Sequence, residues 1–106
     1  FAAYTALVQS GQQVIVAGDS AGGALSLAVA LRARDEGIVM PLRLVLISPW
    51  VHPAADDGSA VTCEATDMLG IPQSRHWFGL YTGSKDVRDP IWRDPLAAPL
   101  FANHRG

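Results

Sequence analysis

Two runs of aliphatic residues, Val14-Ile15-Val16-Ala17 and Leu44-Val45-Leu46-Ile47, lack the polar alternation of a half-exposed strand. Short, continuous apolar runs of this kind predict strands buried on both faces, as in a parallel sheet. Between them, Ala24, Leu25, Leu27, Ala28, Val29 and Leu31 make a nearly unbroken stretch of small and apolar helix formers. It predicts a largely buried helix, with Arg32 and Arg34 suiting its C-terminal dipole and Gly37 standing just past its end. Strand, helix and strand in this order form a βαβ unit, whose right-handed crossover sets the strands parallel. The first strand is expected to stop at Gly18, and the second is closed by Ser48-Pro49-Trp50, where proline ends the ladder. Ahead of them, Tyr4, Leu7 and Val8 fall at helical spacing and Ser10-Gly11 supplies a stop, so a short helix is expected over 1–8.

Beyond Val51 the pattern changes, with Pro53, Asp56-Asp57-Gly58, Gly70, Pro72, Gly83, Pro90 and Pro95 breaking the chain and no strong strand among them. A helix from Pro72 to Tyr81 is expected, with Trp77, Phe78, Leu80 and Tyr81 as its apolar surface. The organisation expected is a partial α/β core over 1–50, an irregular, cap-like helical segment over 51–94, and a return toward a further strand over 95–106. Two buried parallel strands need neighbouring strands and covering helices. The expectation is therefore an internal slice of a larger α/β domain, or one completed by another chain.

The chain has 106 residues, 49% hydrophobic and 17% charged, which suits one globular unit with a core. Ten acidic and eight scattered basic residues give a net charge of −2, and no nucleic-acid surface is implied. No apolar stretch approaches the ~18 residues of a membrane span. One cysteine, Cys63, forms no internal disulfide and no zinc cluster, so a cytoplasmic location is the default. No signal peptide is visible, and the start at Phe1 reads as a cut.

Gly18-Asp19-Ser20-Ala21-Gly22 has the form G-x-S-x-G and lies between the predicted strand and the predicted helix, the context in which that motif acquires meaning. A tight strand-to-helix turn lifts a serine hydroxyl out of the backbone, and small neighbours must give it clearance. Gly18 and Gly22 are expected to provide that room, and Gly23 to let the helix approach the sheet. The helix N-terminus favours developing negative charge, which makes the Ala21 N–H the expected oxyanion donor and Ser20 the expected nucleophile. Asp19 leaves the strand on the side opposite its neighbours, so it is expected to cap or anchor the turn rather than serve a catalytic histidine. A phosphate-binding turn is the alternative, but neither G-x-G-x-x-G nor a P-loop is present.

A serine hydrolase also needs a histidine base and an acid, following the serine in the order acid then histidine. His52 follows the second strand on the same sheet edge as Ser20, but no acid at a strand end precedes it, so lining the pocket beside Trp50 suits it better. His76 lies among the cap aromatics, packed or facing solvent. His104 is expected on the opposite sheet edge in a structural place. Asp56-Asp57, Asp86 and Asp89 read as solvated loop acids, no metal site is expected, and Cys63 reads as an inert small side chain.

The blocks Val16-Ala17-Gly18-Asp19-Ser20-Ala21-Gly22-Gly23, Leu46-Ile47-Ser48-Pro49-Trp50 and Asp94-Pro95-Leu96-Ala97-Ala98-Pro99-Leu100, in this order, resemble the bacterial hormone-sensitive-lipase-like family of esterases. The resemblance covers most of the chain. It implies part of an α/β-hydrolase doubly wound sheet, and hydrolysis of short to medium acyl esters by acylation of Ser20 without a cofactor. It places the segment between Pro49 and Asp94 near the active-site mouth. It also implies a His-Gly-Gly-Gly type oxyanion loop upstream and a triad acid and histidine beyond Gly106, so the remainder of a parent chain is needed for a complete triad. The isolated 106-residue chain is accordingly expected to be nearly inactive. His52 stands where the family often has an aspartate. Some plant hormone receptors resemble the same family and keep the serine motif, so a non-catalytic ligand-binding module is the alternative function.

Overall fold

The computed structural model describes residues 1–103; His104, placed above on the opposite sheet edge, lies outside them. Helix α1 (Ala2–Gln9) ends at Ser10, and Gly11 turns the chain in the left-handed region at φ 82°. Strand β1 (Ile15–Asp19) leads directly into helix α2 (Ser20–Asp35), and strand β2 (Arg43–Ile47) returns parallel to β1. The ladder runs from Ile15 opposite Arg43 to Asp19 opposite Ile47, so β1 continues one residue past the expected stop at Gly18. Glycine weakens a strand, but here the ladder to β2 carries β1 through Gly18, whose missing side chain admits a close backbone neighbour. Tyr4 Oη donates to the Val39 carbonyl and ties α1 to the loop that precedes β2.

The expectation that both strands are buried on both faces is only half met. Along each strand, half-buried and exposed residues alternate. Val16, Gly18, Leu44 and Leu46 face α2, whereas Ile15, Val45 and Ile47 on the other face are 55, 47 and 62% exposed. A single crossover helix covers a single face of the pair, and among the described residues nothing covers the other. α2 itself buries Ala24, Ser26, Ala30, Leu31 and Ala33 and leaves Leu25 exposed.

Downstream lie the short helix α3 (Gly58–Thr62) and helix α4 (Ile71–Thr82), which carries Pro72 in its first turn and ends on Gly83 in the left-handed conformation. One-turn 3-10 segments follow at Pro90–Arg93 and Pro99–Phe101. The largest fully buried side chains among the described residues are here, not under the sheet: Phe78 and Trp92 are 2 and 1% exposed, with ring centroids 4.7 Å apart and Ala54 and Ala98 beside them. Of the four residues expected to form the apolar face of α4, only Phe78 is buried, because the chain returns over that side alone. Trp77, Leu80 and Tyr81 are 43, 66 and 61% exposed.

Polar groups inside this cluster are paired, as burial requires. Trp92 Nε1 donates to the Ser84 carbonyl at 3.2 Å, and Trp50 Nε1 donates to Ser74 Oγ, which in turn donates to the Pro53 carbonyl. No helix among the described residues is long and apolar enough to cross a membrane. Removal of the Trp92 side chain leaves a large cavity at the centre of this cluster, so Trp92→Ala is expected to cost about 3–5 kcal/mol of stability, read from urea denaturation of the two proteins side by side.

Candidate active site

Ser20 sits at the junction of β1 and α2 with φ 50°, a left-handed backbone that a non-glycine residue adopts only under constraint. Two close approaches supply that constraint. A Cβ on Gly18 would stand 2.2 Å from the Gly22 carbonyl oxygen, and a Cβ on Gly23 would stand 2.7 Å from Pro49 Cβ. The absence of side chains at these two positions brings the first turn of α2 against the end of β1 and against the segment after β2. Gly22, expected to give clearance, has only Asp19 Oδ1 near its missing side chain, at 3.9 Å. An alanine methyl fits there, so the clearance rests on Gly18 and Gly23.

Ser20 is exposed, and its carbonyl accepts from the Trp50 N–H at 2.8 Å, which fastens the turn to the residue three beyond β2. The N–H of Ala21 lies in the first turn of α2, whose amides have no carbonyl partner within the helix. Asp19 occupies the position before α2 with an extended backbone, but its side chain accepts no capping hydrogen bond. Strand alternation puts its carboxylate on the exposed sheet face with Ile15 and Ala17, so the expected capping role is not met.

Ser48 follows Ile47 as Ser20 follows Asp19, in ladder register and again in the left-handed region, at φ 44°. Both serines open on one cavity of about 580 Å³, walled by Trp50, His52, Leu69, Ile71 and Trp77. Trp50 and His52, read in the sequence as pocket lining, border this cavity together with Ser20. A second, apolar pocket of about 120 Å³ lies on the other side of Trp50, between Ala24, Leu25, Phe78 and Leu96. His76 is exposed on α4 and lines neither.

Sequence reasoning missed the surroundings of His52. Its Nε2 lies 3.0 Å from Asp56 Oδ1 and its Nδ1 3.5 Å from Asp57 Oδ1, so both ring nitrogens face carboxylates rather than Ser20. The signal was the four-residue spacing of His52 and Asp56 across a turn, which the hydrogen bond from the Ala55 N–H to the His52 carbonyl closes. Leu100 N–H donates to the Val51 carbonyl and Phe101 packs edge-on to His52, which holds this turn against the end of the described chain.

A family model described as the alpha/beta hydrolase fold matches residues 1–106. The chain belongs to this family. LipR of Mycobacterium tuberculosis, provisionally named an acetyl-hydrolase, is 42% identical over 92% of the chain and 34% of its own length. An acetyl-hydrolase of Streptomyces hygroscopicus is 35% identical over 99% of the chain and 35% of its own length. The crystal structure of an esterase from the bacterial hormone-sensitive lipase family superposes with a TM-score of 0.79 at 34% identity, over 95% of the chain and 34% of that protein. The chain spans about a third of the length of the relatives it matches. In this alpha/beta hydrolase the turn at Ser20 leaves no space for a methyl at residue 18. Gly18→Ala is expected to lower stability by about 1–3 kcal/mol or more through the clash with the Gly22 carbonyl, whereas Gly22→Ala is expected to be tolerated; parallel denaturation curves check the pair.

Proposed function

We propose that the protein is a carboxylic ester hydrolase in which Ser20 is the nucleophile. The observation that carries this reading is the strained, exposed Ser20 at the β1–α2 turn, opening on a mostly apolar cavity. The acetyl-hydrolase and esterase names of its relatives support it. In this account Ser20 Oγ attacks the ester carbonyl carbon, the carbonyl oxygen becomes an oxyanion beside the Ala21 N–H, and the alkoxide leaves with a proton. Water then attacks the acyl-serine and releases the acid. Helix α2 points its positive end at the developing charge, and no cofactor is needed.

The base that takes the Ser20 proton is proposed to come from outside residues 1–103, together with the acid that orients it. His52 is a poor candidate because both its nitrogens face carboxylates. Residues 51–94 are proposed as a cap over the cavity, with Trp77 bounding the space for the acyl group. Substrates of short to medium acyl length fit a cavity of about 580 Å³. The single cysteine supports a cytoplasmic place of action.

Replacement of the serine hydroxyl removes covalent catalysis. In the complete enzyme, Ser20→Ala is expected to lower kcat for a p-nitrophenyl ester on the order of 10⁶-fold while leaving the fold intact, and retained turnover in that variant contradicts the reading. If Trp77 bounds the acyl space, Trp77→Ala raises kcat/KM for longer acyl esters relative to acetyl esters by roughly tenfold, measured across an ester series.

A further inference from the structure

Asp56 and Asp57, read in the sequence as solvated loop acids, are turned by the fold onto one imidazole. A neutral imidazole carries one N–H and one bare nitrogen. With a carboxylate oxygen 3.0 Å from one nitrogen of His52 and another 3.5 Å from the other, the bare nitrogen faces an acceptor. Two arrangements remove that conflict: a second proton on the ring, or a cation held by one ring nitrogen and the carboxylates.

The geometry suits one. A ring nitrogen of His52 and one oxygen from each aspartate lie within 4.8 Å of one another. In a tetrahedral zinc site with bonds of about 2.0–2.2 Å, ligand atoms stand roughly 3.3–3.6 Å apart. The two carboxylates lie beside different ring nitrogens, so one of them must swing toward the nitrogen that takes the cation, a movement open to side chains that are 55 and 77% exposed. The histidine is the fixed member: its side chain is 18% exposed, and its ring lies edge-on to Phe101 at 5.8 Å between centroids.

The cluster is also not on a flat surface. It opens on a cavity of about 210 Å³ whose other walls include Trp92, Arg93 and Phe101. Arg93 is the one cation among these walls, and its guanidinium lies over the Phe101 ring, 5.6 Å from the centroid. Two carboxylates against that one guanidinium leave the cavity with a formal charge of −1. His52 lines the Ser20 cavity as well, so it forms part of the wall between the two spaces.

We propose that His52, Asp56 and Asp57 form a binding site for a divalent transition-metal cation of the zinc class, on the wall shared with the Ser20 cavity. One imidazole nitrogen and two carboxylate oxygens supply three ligands and leave the fourth position open to water. The imidazole selects zinc, cobalt or nickel over magnesium and calcium, which prefer oxygen alone. The site is independent of the nucleophile assigned to Ser20, because it is read by metal uptake and not by ester turnover.

The test is calorimetric titration of the intact protein with Zn²⁺, carried out on a Cys63→Ser background to remove the exposed thiol, together with the visible spectrum of added Co²⁺. The expected result is one Zn²⁺ taken up at this site, a tetrahedral Co²⁺ spectrum, and no displacement by Mg²⁺ or Ca²⁺. His52→Asn and Asp57→Asn are each expected to weaken binding at least about tenfold, as loss of even an outer-sphere partner does, while His76→Asn has no effect. Asp57 is mostly exposed, so its substitution tests the site without burdening the fold. Absence of uptake, uptake unchanged by Asp57→Asn and His52→Asn, or displacement by Mg²⁺ overturns the proposal.

Discussion

The contact between the end of β1 and the first turn of α2 sets the positions of everything else. Without side chains at Gly18 and Gly23, the helix start lies against both the Gly18 backbone and Pro49, and Ser20 is driven to φ 50°. A single methyl at residue 18 would fall 2.2 Å from a carbonyl oxygen, well inside any permissible contact. That approach supplies two things a nucleophilic serine requires: an exposed hydroxyl, and free amides with a helix dipole directly beside it. The strain is local, and the parallel ladder and α2 hold it in place.

Trp50 connects this turn to the rest of the molecule. Its backbone N–H binds the Ser20 carbonyl, its indole N–H binds Ser74 on α4, and its ring packs edge-on to Phe78 at 5.9 Å. The aromatic cluster around Phe78 and Trp92 therefore has a structural line to the serine turn, and Trp50 walls both the Ser20 cavity and the small apolar pocket that reaches Phe78. His52 is two residues further on. There the chain turns back on itself, and carboxylates that look unremarkable in the sequence come to face both sides of one ring.

The βαβ unit and its parallel pairing were legible in the apolar runs because continuous β-branched stretches and an unbroken helix former have few other solutions. The same runs did not tell which strand face would be covered. Ile15, Val45 and Ile47 look identical to Val16, Leu44 and Leu46 in hydropathy, and only the side taken by α2 separates them. The strand-to-helix turn at Ser20 was legible from its G-x-S-x-G setting. Trp92 was not, since a tryptophan among prolines has no periodicity to announce burial, and its place is decided by a chain reversal that brings Phe78 against it. Gly22 and Asp19 show the limit of reading a motif letter by letter: the spacing names the turn, but space and side-chain direction decide which of its residues the turn needs.

The most direct test of the central claim is to treat the complete protein with a fluorophosphonate probe and locate the adduct by peptide mass spectrometry. An activated serine at the β1–α2 turn predicts a single stoichiometric adduct on Ser20, blocked by prior incubation with an ester substrate. A complete, folded protein that remains unlabelled, or that is labelled at another serine, contradicts the account.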